Sequence, residues 1–446
     1  MKGLLNWFEE KFIPVAAKIG AQRHLVAIRD GFIAMMPLII AGSLGALINN
    51  ISFPGYDHGK FMSSIFGDNW GAFGGSIWWG TLAFMAVLAA FTIAYNLAKS
   101  YDVNPLTAGI LSVSSFFALI PQAVAKVAIP KSVDGIAVPS ELVGKSVSGW
   151  GNINWSFMSF GSLFCAIIVA LVVTEIYVKL VKSRKLEIKM PENVPPAVSK
   201  SFATLAPVLL TMVIVGLAQA FISATGTSAS EFLLKVIQKP VANAGNTLGG
   251  AVAVAFFNHL FWFFGLHGSN IMSPLMDGLY LSLANDNAAA LLIGEQMQYI
   301  VTKPFFDSFV YMGGSGTTIG LLAAIFVFSR NKAQRSIAKL AAPTSMFNIN
   351  EPVVFGLPIV LNPLFLVPFL FGPVIITIIS YLATQAGLVP MTSVVIPWTT
   401  PPIIGAFLAT NGSFAAAGLA AFNLVLVFLM YIPFVLLSNK KADTIL

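Results

Sequence analysis

From Phe157 to Val178 the chain carries one charged side chain, Glu175. Three further stretches, Ile77–Ala98, Phe202–Ile222 and Ala415–Leu437, carry none. A helix rises about 1.5 Å per residue, so roughly 20 such residues cross the hydrocarbon of a bilayer. Runs of this kind make lipid the solvent for much of the chain. Composition agrees: 10% of residues are charged and 57% are hydrophobic, where a soluble domain carries roughly 25% charged residues. The expected fold class is an all-α polytopic membrane protein.

The net charge of +7 does not point to nucleic acid. The basic residues gather at the ends of apolar runs, where they report orientation in a membrane. Arg23 and Arg29 precede the first run, and Lys440 and Lys441 follow the last. Both termini are therefore expected in the cytoplasm. Lys179, Lys182, Arg184, Lys185 and Lys189 mark one internal cytoplasmic loop; Arg330, Lys332, Arg335 and Lys339 mark another. An even number of crossings must separate these two loops. Spans near 202, 247 and 317 make an odd number, so the polar stretch 271–294 is expected to cross as well, facing protein rather than lipid. The expected total is ten spans.

Before the first span, Phe8, Phe12, Val15 and Ile19 recur on one helical face, which fits an amphipathic helix on a membrane surface or packed on protein. Asn104-Pro105 opens a helix, since proline suits a first turn. Gln122–Trp155 reads as an external excursion that a hairpin would fit, and Glu231–Lys239 as a short surface helix. The lone cysteine, Cys165, lies in mid-span and reads as a small core residue. Two halves are expected. Residues 1–225 hold five ordinary spans, a scaffold. Residues 226–446 hold five spans broken by Gly, Pro, Asn and buried charge. Irregular backbone at membrane depth is tolerated where it is buried in protein or lines a cavity, so the second half is expected to carry the substrate.

Between Lys339 and Lys440 the only charged side chain is Glu351, in Asn350-Glu351-Pro352. A carboxylate at such depth is costly and marks a functional position, or a structural acid tied to helix ends. Pro352 is expected to block a helix through this point, leaving free backbone groups. His267, bracketed by Gly265 and Gly268, can both donate and accept hydrogen bonds; it is a second site candidate, with helix capping as the other reading. His259, in mid-span, reads as structural. Trp262 and Trp398 flank these positions as aromatic platforms for a sugar or as interfacial anchors. Lys303-Pro304-Phe305-Phe306-Asp307 before Gly313-Gly314-Ser315-Gly316 fits a re-entrant hairpin, with Lys303 and Asp307 paired across one turn. No nucleotide-binding motif, metal-ligand spacing, cofactor motif or nucleophile triad is present, which excludes ATP-driven transport within this chain.

The runs Gly265-Leu266-His267-Gly268-Ser269-Asn270, Pro304–Thr317 and Asn350-Glu351-Pro352-Val353-Val354-Phe355-Gly356-Leu357-Pro358 resemble the lactose/cellobiose/diacetylchitobiose permeases. These are the membrane (IIC) components of the bacterial phosphoenolpyruvate-dependent sugar phosphotransferase system. The resemblance covers essentially the whole chain. It implies a homodimer in the cytoplasmic membrane with ten spans and two re-entrant hairpins. It implies a disaccharide substrate and a soluble IIB partner whose phosphocysteine phosphorylates the sugar 6-hydroxyl. Glu351 matches the sugar-binding glutamate, also the candidate base, and His267 a site histidine. Asn350, Trp262 and Trp398 match further sugar contacts. Cys165 lies in a span, so the phosphocysteine belongs to another chain. The rival reading is a cation-coupled sugar transporter with Glu351 or Asp307 as the coupling carboxylate; a receptor or channel is a third.

Overall fold

The computed structural model describes residues 13–50, 58–121, 123–128, 132–133, 136–137, 146–150, 155–159, 162–183, 196–292, 294–357 and 359–443, with isolated positions between 139 and 191. In chain order the helices are α1 (Ile13–Gly20), α2 (Arg23–Asn50), α3 (His58–Phe66), α4 (Gly71–Trp79), α5 (Met85–Lys99), α6 (Pro105–Leu119), α7 (Leu163–Lys182) and α8 (Pro196–Ser223). There follow α9 (Ala229–Leu233), α10 (Lys239–Gly245), α11 (Leu248–Phe263), α12 (Gly268–Leu275), α13 (Leu281–Leu292) and α14 (Lys303–Phe309). The chain ends with α15 (Thr318–Phe328), α16 (Lys332–Ser345), α17 (Glu351–Gly356), α18 (Pro363–Gln385), α19 (Ile404–Ala409) and α20 (Phe414–Asp443). The body is helical. The excursion after α6 holds two short antiparallel pairs, β1 (Ala123–Ala128) with β4 (Ser146–Trp150) and β2 (Ser132–Val133) with β3 (Ile136–Ala137).

Among the described residues, six helical stretches are long and apolar enough to cross a bilayer: Arg23–Asn49, Gly71–Lys99, Leu163–Lys182, Phe202–Ser223, Pro363–Gln385 and Phe414–Asn439. Pro105–Leu119, Leu248–Phe263 and Thr318–Phe328 are apolar but shorter. The polar stretch 271–294 is helical almost throughout, as α12, a π turn at Met276–Tyr280, and α13. Its Asp277, Ser282, Asn285 and Asn287 are buried in protein, which is where polar side chains in a span must lie.

Local chemistry explains several boundaries. The Asn104 side chain accepts from the Leu106 and Thr107 amides and Pro105 follows it, so α6 starts as the sequence predicts. Ser228 and Glu231 form a capping box at α9. Of the expected amphipathic N-terminal face, Phe8 and Phe12 lie outside the described residues, and Val15 and Ile19 are exposed on α1.

Two compact units emerge, and they do not follow the expected division at 225/226. One is Met1–Leu82 together with Pro240–Leu446; the other is Ala83–Lys239. The reason is long-range packing: α2 rests on α4 and on α12 and α13, so the first span joins the irregular C-terminal segments. In the second unit α5, α6 and α7 pack together. The buried face of α5 is Ala86, Ala89, Ala90, Ile93, Ala94 and Leu97, small enough for backbones to approach closely. Cys165 is buried here, and Glu175 accepts a 2.5 Å hydrogen bond from Tyr101 Oη.

Candidate functional site

The site lies within the first unit, where four segments converge: the end of α11, the glycine loop after α14, the turn Met346–Asn350, and the loop at 398–400. Two glycines set their spacing. A Cβ on Gly268 would fall 2.1 Å from the Asn258 carbonyl oxygen, and one on Gly314 would fall 2.5 Å from Asn350 Cβ. Neither close approach survives a larger residue. Three amides then tie the segments. Asn258 Nδ2 donates to Ser315 Oγ at 3.1 Å, and Asn350 Nδ2 to the Ser315 carbonyl at 3.0 Å. Asn348, at a φ of 62° that asparagine tolerates, accepts from the Gly313 amide at 2.8 Å and donates to the carbonyls of Trp398 and Thr400 at 2.7 and 2.9 Å. Each bond, once buried, costs about 1–3 kcal/mol to leave unmade.

His267 caps the start of α12: its Nδ1 accepts from the Asn270 amide at 3.2 Å. In the neutral ring the proton then sits on Nε2. Nε2 faces Glu351 Oε1 at 3.5 Å, and the two side chains are 42% and 43% exposed. That distance is long for a hydrogen bond. The pair is adjacent but not clamped, and Glu351 Oε2 has no partner among the described residues. Behind it, the Trp262 ring lies 4.4 Å from the His267 ring at 45°, and Ser269 links Trp262 Nε1 to Asn258 Oδ1 through two long contacts of 3.4 Å. The arrangement offers one carboxylate and one imidazole N–H on an open face, over a rigid amide-bonded floor.

No helix runs through Pro352: α16 ends at Ser345 and α17 begins at Glu351. Glu351 is the first residue of α17, and the proline occupies its first turn, where its missing N–H has no partner to lose. Trp262 and Asn350, expected as sugar contacts, are 2% and 4% exposed; as folded here they support the site from beneath. Trp398 is 43% exposed. It joins the cluster through its backbone carbonyl, and the residue also lines a neighbouring cavity of about 20 Å³ with Phe32, Asp277 and Lys303. His259 is fully buried, its Nδ1 donating to the Ala255 carbonyl at 2.5 Å, a structural placement. Asn258, Ser269, Ser315 and Asn348 were not singled out from sequence. The signal available was amide and hydroxyl side chains inside apolar or glycine-rich runs, which does not separate a tether from a ligand contact. Among the described residues no cluster could hold a metal ion.

A half-open carboxylate–imidazole pair on irregular backbone within a helical membrane protein is suited to holding a polar ligand. The phosphotransferase system EIIC family profile matches residues 29–373. The lichenan permease IIC component of Bacillus subtilis (strain 168) is 38% identical over 97% of this chain and 93% of that protein. The cellobiose-specific EIIC component of Lactococcus lactis subsp. lactis (strain IL1403) is 35% identical over 100% and 99%. The crystal structure of the transporter ChbC, the IIC component from the N,N'-diacetylchitobiose-specific phosphotransferase system, superposes with a TM-score of 0.91 at 37% identity, covering 98% of each chain. The chain belongs to the phosphotransferase system EIIC family and is a membrane permease component.

Proposed function

We propose that this permease binds a β-linked disaccharide of the cellobiose or diacetylchitobiose type, at a site centred on His267 and Glu351. The names of its relatives and of ChbC support the substrate class. The observation that carries the site is the half-exposed His267–Glu351 pair at 3.5 Å, with hydrogen-bonding capacity the fold leaves unused. Glu351 accepts a sugar hydroxyl, His267 Nε2 donates to another, and the Trp398 ring packs on a C–H face.

Glu351 also serves as base. The sugar 6-hydroxyl proton moves to the Glu351 carboxylate as the hydroxyl oxygen bonds to phosphorus. The S–P bond of the phosphocysteine on a separate IIB protein breaks, leaving a thiolate that recovers a proton from solvent or from Glu351. A weakly acidic alcohol needs such a base. Ten crossings, the glycine loop and the 389–409 segment as two re-entrant hairpins, cytoplasmic termini, a bacterial cytoplasmic membrane and a homodimer formed through the N-terminal scaffold complete the proposal.

The test is uptake of radiolabelled cellobiose and diacetylchitobiose by vesicles supplied with phosphorylated IIB. Phosphorylated sugar inside, unaffected by a protonophore, is the expected product. Free sugar, with uptake abolished by the protonophore, would replace this reading with cation coupling through Glu351.

A further inference from the structure

A second cavity, of about 450 Å³, shares no residue with the His267–Glu351 site. Three stretches of chain meet around it: Leu291 to Met297 at the end of α13, Pro390 to Ser393 after α18, and the turn Thr410–Ser413 leading into α20. Its depth in the membrane follows from α20. Phe414 lines the cavity and starts that helix, and Lys440 lies near the other end. At 1.5 Å per residue the stretch between them is about 39 Å long, more than the roughly 30 Å hydrocarbon core of a bilayer. With Lys440 in the cytoplasm, the cavity faces outside.

The lining suits an uncharged ligand with hydroxyl groups. Among the described residues no charged side chain lines it, so an ion entering it would shed water without gaining a counter-charge. Leu291, Met297 and Phe414 supply apolar surface; Thr410, Asn411 and Ser413 supply hydroxyls and an amide. Small-molecule sites have this volume and this mixture. Part of the hydrogen-bonding capacity is unused. Ser413 Oγ accepts from the Ala416 amide at 3.3 Å, and its own proton has no acceptor among the described residues. The Phe414 and Ala415 amides, in the first turn of α20, have no acceptor there either. Buried Ser393 has an unpartnered hydroxyl among the described residues.

The cavity is also tied to the site by one short segment. Ser393 lines the cavity, and the Trp398 carbonyl accepts from Asn348 in the floor of the site at 2.7 Å. The chain from Ser393 to Trp398 spans at most about 18 Å when fully extended.

We propose that this cavity is an outer docking site for the transported disaccharide, occupied before the sugar reaches His267 and Glu351. The inference rests on the disaccharide reading and on the cytoplasmic termini proposed above. A lipid tail would match the apolar lining but leave the hydroxyls and the helix-start amides unpaired.

The test uses Ala415→Cys in the full chain. Ala415 is exposed and lines the cavity, while the one native cysteine, Cys165, is buried. Labelling by a membrane-impermeant maleimide is followed in right-side-out vesicles, with the pair intact and with His267→Ala/Glu351→Gln added. Cellobiose, diacetylchitobiose, inorganic phosphate and decanol are the probes. At least one disaccharide should slow labelling fivefold or more, phosphate and decanol should not, and the half-protecting concentration should agree within about twofold between the two backgrounds. A half-protecting concentration that rises tenfold when the pair is altered overturns the outer site and leaves the pair's role standing. Protection by decanol and not by sugar overturns it in favour of lipid. Labelling confined to inside-out vesicles overturns the cavity's placement and that of the termini together. Absence of protection overturns the outer site alone if calorimetry still shows sugar binding, and the disaccharide reading with it if calorimetry shows none. Delivery of free sugar together with protection overturns phosphotransfer and supports this site. If Ala415→Cys melts as an unfolded chain, Met297→Cys takes its place under the same criteria.

Discussion

Lys303 and Asp307 meet at 3.0 Å, with side chains 16% and 10% exposed; His267 and Glu351 meet at 3.5 Å, with 42% and 43% exposed. Both pairs belong to the same compact unit and both stand next to glycine-rich turns. The first is closed. It joins residues one turn apart on α14, and buried Asp277 lines the same small cavity as Lys303. Both charges of the pair have a protein partner. The second is open. It joins residues from two distant segments, it is not tightly bonded, and one carboxylate oxygen has no partner among the described residues. Charge alone therefore does not mark a binding residue in this protein. What marks one is charge whose partner is loose and whose remaining lone pairs or protons point away from the fold.

Predictions follow that contrast. Removing the charge of the open pair should stop chemistry and spare folding. Glu351→Gln keeps the shape and one acceptor but cannot take a proton, so phosphorylating uptake should fall by about 10²–10⁴-fold, the usual contribution of a general base, while weak sugar binding persists. Vesicle uptake against calorimetry reads the two separately, and normal uptake would remove Glu351 from the chemistry.

Removing one partner of the closed pair should do the opposite. Asp307→Asn leaves Lys303 buried beside a neutral amide, and breaking a buried pair costs about 3–5 kcal/mol. The detergent-solubilised variant should melt well below the parent, while the folded fraction keeps its sugar affinity. A variant that melts normally and loses sugar would collapse the distinction between the pairs. His267→Ala comes next. It deletes a donor to a charged or sugar oxygen, worth about 1.5–3 kcal/mol, so calorimetry should show affinity weaker by about 10–150-fold. It also deletes the cap of α12, and a melting curve tells the two losses apart.

The same contrast shows what could be read from sequence. The closed pair was legible because helical spacing is local: Lys303 and Asp307 sit four apart, with Pro304 between them in the first turn. Glu351 was legible because it stands alone among apolar residues, and His267 because glycines bracket it. That these two face each other was not legible, since nothing local links α12 to α17. Burial failed for the same reason. Trp262 and Asn350 have the chemistry of sugar ligands, yet packing directs one onto the His267 ring and the other onto Ser315. The compact units were not legible either, because the first span's apolar surface says only that it packs, not that α12 and α13 are what it packs on.

Trp398 tests where the open region ends, with the smallest expected effect. Its backbone is fixed, since Asn348 holds its carbonyl at 2.7 Å, while the residue is 43% exposed and lines a small cavity with Asp277 and Lys303. If the second sugar ring reaches that far, Trp398→Ala removes an aromatic platform worth about 0.5–1.5 kcal/mol beyond its area, and the affinity for a disaccharide should weaken by roughly three- to tenfold. The affinity for the matching monosaccharide, which spans only the His267–Glu351 end, should not move. Equal losses for both sugars would mean that the substitution disturbs the loop at 398–400, and through Asn348 the floor of the site. No loss for either would confine the sugar to the carboxylate–imidazole pair and leave the Trp398 cavity to the closed region around Lys303.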